Sequence, residues 1–400
     1  MNHRILYTCR RTCLPEKTAT SEKMGIADAD TGEDQCIDFG TFGLADAVAW
    51  HYLAMFPDGR VLVQSHHFLQ KLSREVSFRE AVAAKLWMYD VLDGSLTPMD
   101  VYEGGQRHLI NGIAVFPGAE RLLVGLQGNG ADVLWTEMNL DGTDRVQITQ
   151  PGEGYSHTPC LSPDGSRMAT EFYLPDGDTR ICVMNRNGRN RIPFPHRKGD
   201  CHFLPRWSPD GNWILYVNYR HDIDPDHFQA DLCLARSDGT EQRFLTTGRP
   251  FWLSAVYGNT ETYGGGSNIS NWSPDGQWVT FIRFQPGSRT AWEPDPNPAV
   301  DDHWGRRYVP DQARGGSQIC LLNPCTGEIR EVTPMREKVW DFRAAWHPSG
   351  RRLAFCRASV GLPAELWTVC ADGSNPKFLT KGFADQGADH PAWFPKALRE

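Results

Sequence analysis

The sequence predicts an all-β chain folded as a seven-bladed β-propeller with four antiparallel strands per blade. Three observations predict it. A short proline turn recurs along the chain, a glycine turn recurs between its copies, and β-rich apolar runs fill the intervals. Self-similarity at a fixed period marks a repeat architecture. Four strands per period is the propeller blade.

The proline turn reads MFPDG ending at Gly59, VFPGAE at Pro117, LSPDG at Gly165, WSPDG at Gly211 and again at Gly276, and WHPSG at Gly350. A truncated WFP follows at Pro395. The second turn carries Gly32, Gly94, Gly142, Gly188, Gly239, Gly327 and Gly373, and four of the six intervals lie between 46 and 51 residues. Tight hairpin turns impose positive φ, which glycine adopts freely. The Asp or Asn before most of these glycines tolerates the same region. Between the turns lie WILYV, ICVM, LCLA, WVTFI, QICLL, LAFC and ELWTV. With strands named A to D, the proline turn joins A to B and the glycine turn joins C to D.

Closure follows from this register. The last copy supplies only strand A, DHPAWF, while the N-terminus supplies RILYTC as B, KMGIADA as C and DQCIDF as D. The ring is expected to close with N-terminal strands B, C and D plus C-terminal strand A, which removes exposed edges. Residues 1–400 then form a single domain.

Composition narrows the function. The chain is 40% hydrophobic and 22% charged, an ordinary globular balance. A net charge of −8 lacks the basic footprint of a nucleic-acid binder. No apolar run approaches the roughly 18 residues of a membrane span, and the N-terminal stretch is too short for a signal peptide. The 11 cysteines include no C-x-x-C pair. Cys182, Cys233, Cys320 and Cys370 recur in or at the end of short apolar runs, as small buried residues in equivalent strands would. The expected location is cytoplasmic.

WSPDG before an apolar run, repeated from blade to blade, resembles the TolB-type propeller repeat over nearly the whole chain. That repeat occurs in partner-binding proteins, peptidase propeller domains and lyases, so it speaks for fold and leaves function open.

The A–B and C–D turns are tight, and the B–C and D–A connections carry inserts at 65–85, 218–231, 249–268 and 283–317, all on one face. The first holds Phe68, Leu72 and Val76 at helical spacing. Loops on a rigid scaffold commonly carry function. Four A strands present histidine at the mouth of that face: His51, His157, His202 and His390. Imidazoles converging on one axis suit metal binding or proton transfer.

Gln386 followed by GADHPAWFP resembles the last blade of oligogalacturonate lyase, where a Gln precedes a His-Pro-His-Pro motif. Here the second histidine is absent and Asp389 stands beside His390. Blades 5 and 6 open with SNISNW and DFRAAW, where histidine would be expected. The resemblance implies a divalent metal, Mn²⁺ or Ca²⁺, held by His51, Gln386 and His390, and an acidic oligosaccharide as ligand.

β-Elimination on a uronate needs its carboxylate neutralised, a base for the C5 proton and a donor for the leaving oxygen. His157 or His202 is the candidate base, Arg220 the carboxylate clamp and Tyr257 the acid. Trp252, Trp292, Trp304 and His221 are candidates for sugar contacts. Against these stand plainer readings: loop packing for the tryptophans, and pairing of Arg220 with Asp222 or Asp224. Gly264–Gly266 reads as a flexible loop. Asp222, Asp224 and Asp226 alternate like calcium ligands but lack the EF-hand glycine and distal glutamate. No G-x-S-x-G elbow or P-loop occurs. The alternative function is a non-catalytic TolB-like scaffold that binds a protein partner.

Overall fold

The computed structural model describes residues 3–13, 18–43, 47–68, 82–99, 110–127, 133–155, 159–175, 177–220, 229–294 and 306–395. Among these, helix is limited to three short 3₁₀ segments, Phe39–Phe42, Pro310–Gln312 and Phe383–Asp385. Everything else regular is strand.

The strands form antiparallel units in sequence order. Unit 1 runs Ala47–Met55, Arg60–Phe68, Val82–Asp90 and Leu96–Met99. Unit 2 runs Ile110–Val115, Arg121–Gln127, Val133–Asn139 and Val146–Gln147. Unit 3 runs Cys160–Leu161, Arg167–Tyr173, Thr179–Asn185 and Ile192–Pro193. Unit 4 runs Asp200–Trp207, Trp213–Arg220, Gln229–Arg236 and Arg243–Phe244. Unit 6 runs Val339–Trp346, Arg352–Ser359, Glu365–Cys370 and Lys377–Thr380. Unit 5 keeps Val279–Phe284, Gly316–Leu322 and Ile329–Glu331, but its first strand is reduced to a bridge between Trp272 and Val279. The remaining unit joins the two ends of the chain. Ala388–Trp393 pairs with Arg4–Cys13, which pairs with Thr18–Asp28, which pairs with Asp34–Asp38.

The recurrent turn has a chemical logic. In SPDG the serine hydroxyl donates to the aspartate carboxylate, as in Ser162–Asp164 and Ser273–Asp275. The same hydroxyl accepts from a backbone N–H five residues on, at Arg167, Trp213 and Trp278. Side chains thus satisfy the polar backbone that the tight turn leaves over. At one turn the glycine has a second duty. At Gly165 a Cβ would come within 2.8 Å of the Pro117 ring of the preceding unit, whereas at Gly211, Gly276 and Gly350 it would meet Pro163, Pro209 and Pro274 only at ordinary contact distance, and the positive φ of the turn alone calls for glycine there.

Tryptophan links the first strands of successive units. Trp207, Trp272, Trp346 and Trp393 stand just before a Ser, His or Phe and the turn proline. Each indole N–H donates to a carbonyl of the preceding unit, at Cys160, Arg206, Asn271 and Ala345, over 2.9–3.2 Å. Each such bond contributes on the order of 1 kcal/mol net, and it fixes the spacing of successive units. Four of the 14 tryptophans are therefore joints between repeats.

The core lies between units. One cluster joins Phe56 and Leu86 of unit 1 to Leu122 and Met138 of unit 2. Another joins Trp135 of unit 2 to Met168 and Cys182 of unit 3, and a third joins Ile181 and Val183 of unit 3 to Ile214 and Tyr216 of unit 4. The largest spans units 4, 5 and 6. Ala354 and Leu366 of unit 6 pack on Ile5 and Tyr7, and Leu6 and Met24 pack on Trp50 and Val61 of unit 1.

The insert at 249–268 forms a hairpin, Ser254–Tyr257 with Gly264–Ser267. The glycine triplet is one of its strands, not a flexible loop. The insert at 283–317 contributes a short pair, Trp292–Glu293 with Arg307–Tyr308. The helical spacing at Leu72 and Val76 and the acidic loop at 221–228 lie outside the described residues.

Candidate functional site

The first strands of units 1, 4 and 6 and Ala388–Trp393 of the terminal unit carry a bulge at a corresponding place. Their pairing registers shift between Tyr52 and Ala54, Phe203 and Arg206, and Phe342 and Ala345, and likewise across His390. Leu204, Arg343 and His390 take φ of 56°, 53° and 49°. This left-handed region is uncommon for residues other than glycine, and bulges of this kind re-aim a side chain. Tyr52, Arg343 and His390, three residues before Met55, Trp346 and Trp393, occupy the corresponding position in units 1, 6 and the terminal unit.

Those three residues meet. The Arg343 guanidinium contacts His390 Nε2 through Nη1, and Tyr52 Oη donates to the His390 carbonyl over 2.7 Å. Beneath them lies Asp389, fully buried. Arg10 Nε donates to its Oδ2 over 2.9 Å. Arg343 Nε stands 2.9 Å from Oδ1 as an ion pair without hydrogen-bond alignment. Tyr257 Oη donates to the same carboxylate, and the His390 backbone N–H donates to Oδ1 over 2.8 Å. The hairpin supplies the seat. Gly265 accepts from Arg343 Nη2 over 3.0 Å, a Cβ on Gly264 would overlap the Tyr257 ring, and one on Gly266 would press on the Arg343 guanidinium.

Electrostatics follow from this packing. Burial alone would raise the Asp389 pKa, but Arg343, then His390 and Arg10, hold it well below the carboxylate range. Burial, then Arg343, lowers His390 to about 4, so its imidazole is neutral at pH 7. Burial and the Asp389 carboxylate keep the Tyr257 phenol protonated. The group therefore holds two guanidiniums against one carboxylate. Arg10 and Arg343 are buried, while about a third of the His390 side chain is exposed (35%).

The sequence candidates are partly assembled here. His51 and His390 come together, with ring centres 6.4 Å apart, and His66 lies 5.5 Å beyond His51. Tyr257 joins them. Gln386 caps the 3₁₀ turn Phe383–Asp385, and its buried Oε1 has no hydrogen-bond partner. As a metal site the set does not fit. His390 is flanked by two guanidiniums, Arg10 and His66 bear on His51, and no three His, Cys, Asp or Glu side chains among the described residues are placed to hold an ion.

The other candidates lie elsewhere. Arg220 pairs with Asp200 at 3.6 Å. His202 packs on Tyr216 at 4.9 Å and His196 at 6.5 Å, apart from the Asp389 cluster. Trp252 is fully buried between Phe284 and Phe342, a core residue with no face for a sugar. Trp292 is 8% exposed, packed against Tyr263 and Tyr308, and donates its indole N–H to Gly258 O. His157, His221 and Trp304 lie outside the described residues.

Sequence reasoning passed over Arg343, Arg10 and Tyr52. The signal for Arg343 was present: in DFRAAW it stands where ADHPAW places His390. A search for imidazole read that position as empty.

No family model matches the chain. Two sequence relatives are TolB homologues. That of Chlorobium luteolum is 29% identical over 148 residues, covering 37% of this chain and 28% of that protein. That of Chlorobaculum tepidum is 32% identical over 111 residues, covering 28% of this chain and 23% of that protein. The match thus spans about a quarter of those relatives' length. Among solved structures, the β-propeller domain of the Trilobed protease from Pyrococcus furiosus superposes with a TM-score of 0.55 at 10% identity, covering 94% of each chain. Oligogalacturonate lyase from Vibrio parahaemolyticus gives 0.53 at 12% identity, covering 91% of this chain and 90% of that one. At these identities the likeness is one of fold. The repeated four-stranded units and the superpositions give this chain a β-propeller fold, and part of its sequence is similar to TolB homologues.

Proposed function

We propose that the protein is a closed seven-bladed propeller acting as a lyase on uronate-containing oligosaccharides at the Asp389 cluster. Support for closure comes from the hydrophobic clusters, which pass from unit to unit and return through Leu6 and Met24 to Trp50. The observation that carries the function is the charge imbalance around Asp389: two guanidiniums, one carboxylate and a partly exposed neutral imidazole. An anionic group entering there meets an unbalanced positive charge in a poorly hydrated setting, where such charge counts most.

In this reading Arg343 and Arg10 take the role expected of Arg220 and neutralise the uronate carboxylate, which acidifies the C5 proton. His390, neutral at pH 7, accepts that proton at Nε2 as Arg343 turns from it to the uronate carboxylate, with Asp389 beside Nδ1 to balance the imidazolium charge. Tyr257, protonated, is the donor within reach of the same centre. No step is routed through a metal. We assign the protein to a reducing compartment, in line with unpaired thiols at Cys9, Cys201 and Cys356.

The test is incubation with uronate oligomers of differing linkage, followed by the ultraviolet absorbance of the unsaturated product. Product is expected from the wild type, with at least a hundredfold loss in His390→Ala and Arg343→Met, in line with removal of a general base. No product on any oligomer, with no binding of those oligomers, would overturn the reading. The sequence matches to TolB homologues favour a second reading, a scaffold for a protein partner. Capture of one specific protein by an inactive chain, lost in Arg343→Met, would decide for it.

A further inference from the structure

The two guanidiniums of the Asp389 cluster are almost wholly covered: Arg10 is 7% and Arg343 8% exposed. A ligand carboxylate can reach them only if part of the cover moves. The hairpin Ser254–Tyr257 with Gly264–Ser267 is part of that cover. Its Gly265 carbonyl accepts from Arg343 Nη2 over 3.0 Å, and its Tyr257 ring centre lies 5.8 Å from the Arg343 guanidinium carbon. The Tyr257 phenol donates to the carboxylate that Arg10 also holds. A backbone oxygen on a guanidinium N–H stands where an oxygen of a bound carboxylate would stand. The chain thus fills its own anion seat with a neutral acceptor, and a charged oxygen binds a guanidinium more strongly than a neutral one.

The hairpin is built to give way. Its strands pair with each other and with no other strand among the described residues. A hairpin alone is marginally stable, so its position depends on what holds it down. Near its tip, Trp292 Nε1 donates to Gly258 O over 3.0 Å and Asn259 Nδ2 donates to Gly361 O over 3.2 Å. Its base is fixed by the fully buried Asn268, whose N–H bonds Leu253 O and whose side chain bonds Trp252 O. Between base and seat stands Gly266 with φ of 131°, a conformation that glycine adopts freely. The strand that meets Arg343 carries no side chain at 264–266. Tilting the hairpin about its Tyr257 strand therefore frees Arg343 without drawing an apolar group out of the core. We propose that this hairpin is a gate over the Asp389 cluster, holding Arg343 through the Gly265 carbonyl, latched by Trp292, and displaced by the carboxylate of an incoming ligand. The reading of the cluster as a uronate site enters only through the identity of that ligand.

The test is arginine-specific modification of the full chain by phenylglyoxal, followed residue by residue through peptide mass mapping. Arg343 should react slowly in the wild type. Trp292→Phe keeps the ring and removes the N–H, and should speed Arg343 modification about fivefold, the worth of one hydrogen bond. Gly266→Ala, whose methyl group would stand 3.0 Å from Arg343 Nη2, should speed it as well. Arg357 is the internal control. It is 6% exposed and paired with Asp341 in the same unit, and its rate should not change. Galacturonate should protect Arg343. No acceleration at Arg343 in either variant would overturn the gate. So would an equal acceleration at Arg357, the mark of general loosening. Acceleration confined to Arg343 but without protection by galacturonate would uphold the gate and remove uronate as its ligand.

Discussion

Replacing Asp389 by asparagine tests the architecture of the charged cluster most directly. The change keeps shape and volume and removes the charge that Arg10 and Arg343 share. Breaking a buried ion pair by removing one partner costs about 3–5 kcal/mol, because the other charge stays buried and uncompensated. Asparagine retains an oxygen that can accept from the His390 backbone N–H, so the lower end, about 3 kcal/mol, is expected. Urea unfolding followed by tryptophan fluorescence at pH 7 measures it. The depressed Asp389 pKa sets the pH window. A carboxylate whose folded pKa lies below its unfolded value of about 4 contributes fully above that value and loses its contribution as pH falls toward the folded pKa. The gap between wild type and variant should therefore be full at pH 7 and shrink only below about pH 4. Removing Arg343 as well, in Asp389→Asn/Arg343→Met, should cost less than the sum of the single changes, since the second removes a charge the first left unpaired. A variant within about 1 kcal/mol of wild type at pH 7, or simple additivity of the pair, would refute the claim that Asp389 is the counter-charge of the cluster.

Two more outcomes follow from the same geometry. His66 and His202 are lowered by burial to about 4 and about 3, so the unfolded chain binds protons that the folded chain does not as pH falls below about 6.5. Stability should decline on acidification through that window at roughly 1.4 kcal/mol per pH unit for each histidine, and His202→Gln should reduce the slope by one proton in urea titrations at stepped pH. Gly264→Ala places a methyl group into the Tyr257 ring. It should cost about 1–3 kcal/mol through overpacking and lower uronate turnover, whereas Gly287→Ala at an open turn with nothing within 4 Å should cost no more than its backbone strain.

The fold was legible because its period is written in turns. Gly165, Gly211, Gly276 and Gly350 lie where the proline turns require them, and the N-terminal strands pair with Ala388–Trp393 in the order that the register implied. The site was less legible. Of the side chains gathered around Asp389, His51, His390 and Tyr257 stood out in the sequence, because imidazoles and tyrosines are conspicuous against an apolar strand pattern. Arg10 was missed because it lies in the second strand of its unit and its contact with Asp389 spans nearly the whole chain. Trp252 was misjudged because an aromatic in an insert reads as exposed until the insert folds back. Here it packs on Phe342 of unit 6, a contact between sequence-distant modules. The glycine triplet carried a definite message, room for Tyr257 and Arg343, that no local pattern could distinguish from flexibility.

The bulge on the first strands explains how a repeating scaffold comes to hold a charged cluster that does not repeat. The backbone device recurs, with Leu204, Arg343 and His390 all in the left-handed region, but the side chain it presents differs from unit to unit. In unit 4 it is leucine, and the Leu204 N–H is held by Glu171 Oε1 over 2.7 Å. In unit 6 and the terminal unit it is arginine and histidine, and the Arg343 N–H is held by Asn268 Oδ1 over 3.0 Å. A fixed bulge with an independent side-chain partner for its N–H decouples scaffold from site. Substitution at that one position can then change the charge at the strand mouths while leaving the tryptophan joints and proline turns untouched. With arginine at this position in unit 6, uncharged residues there in unit 1, unit 4 and the terminal unit, and Arg10 on the terminal unit's next strand, the positive charge gathers where unit 6 meets the terminal unit. A ligand with one anionic end would be oriented by that imbalance before any chemistry begins.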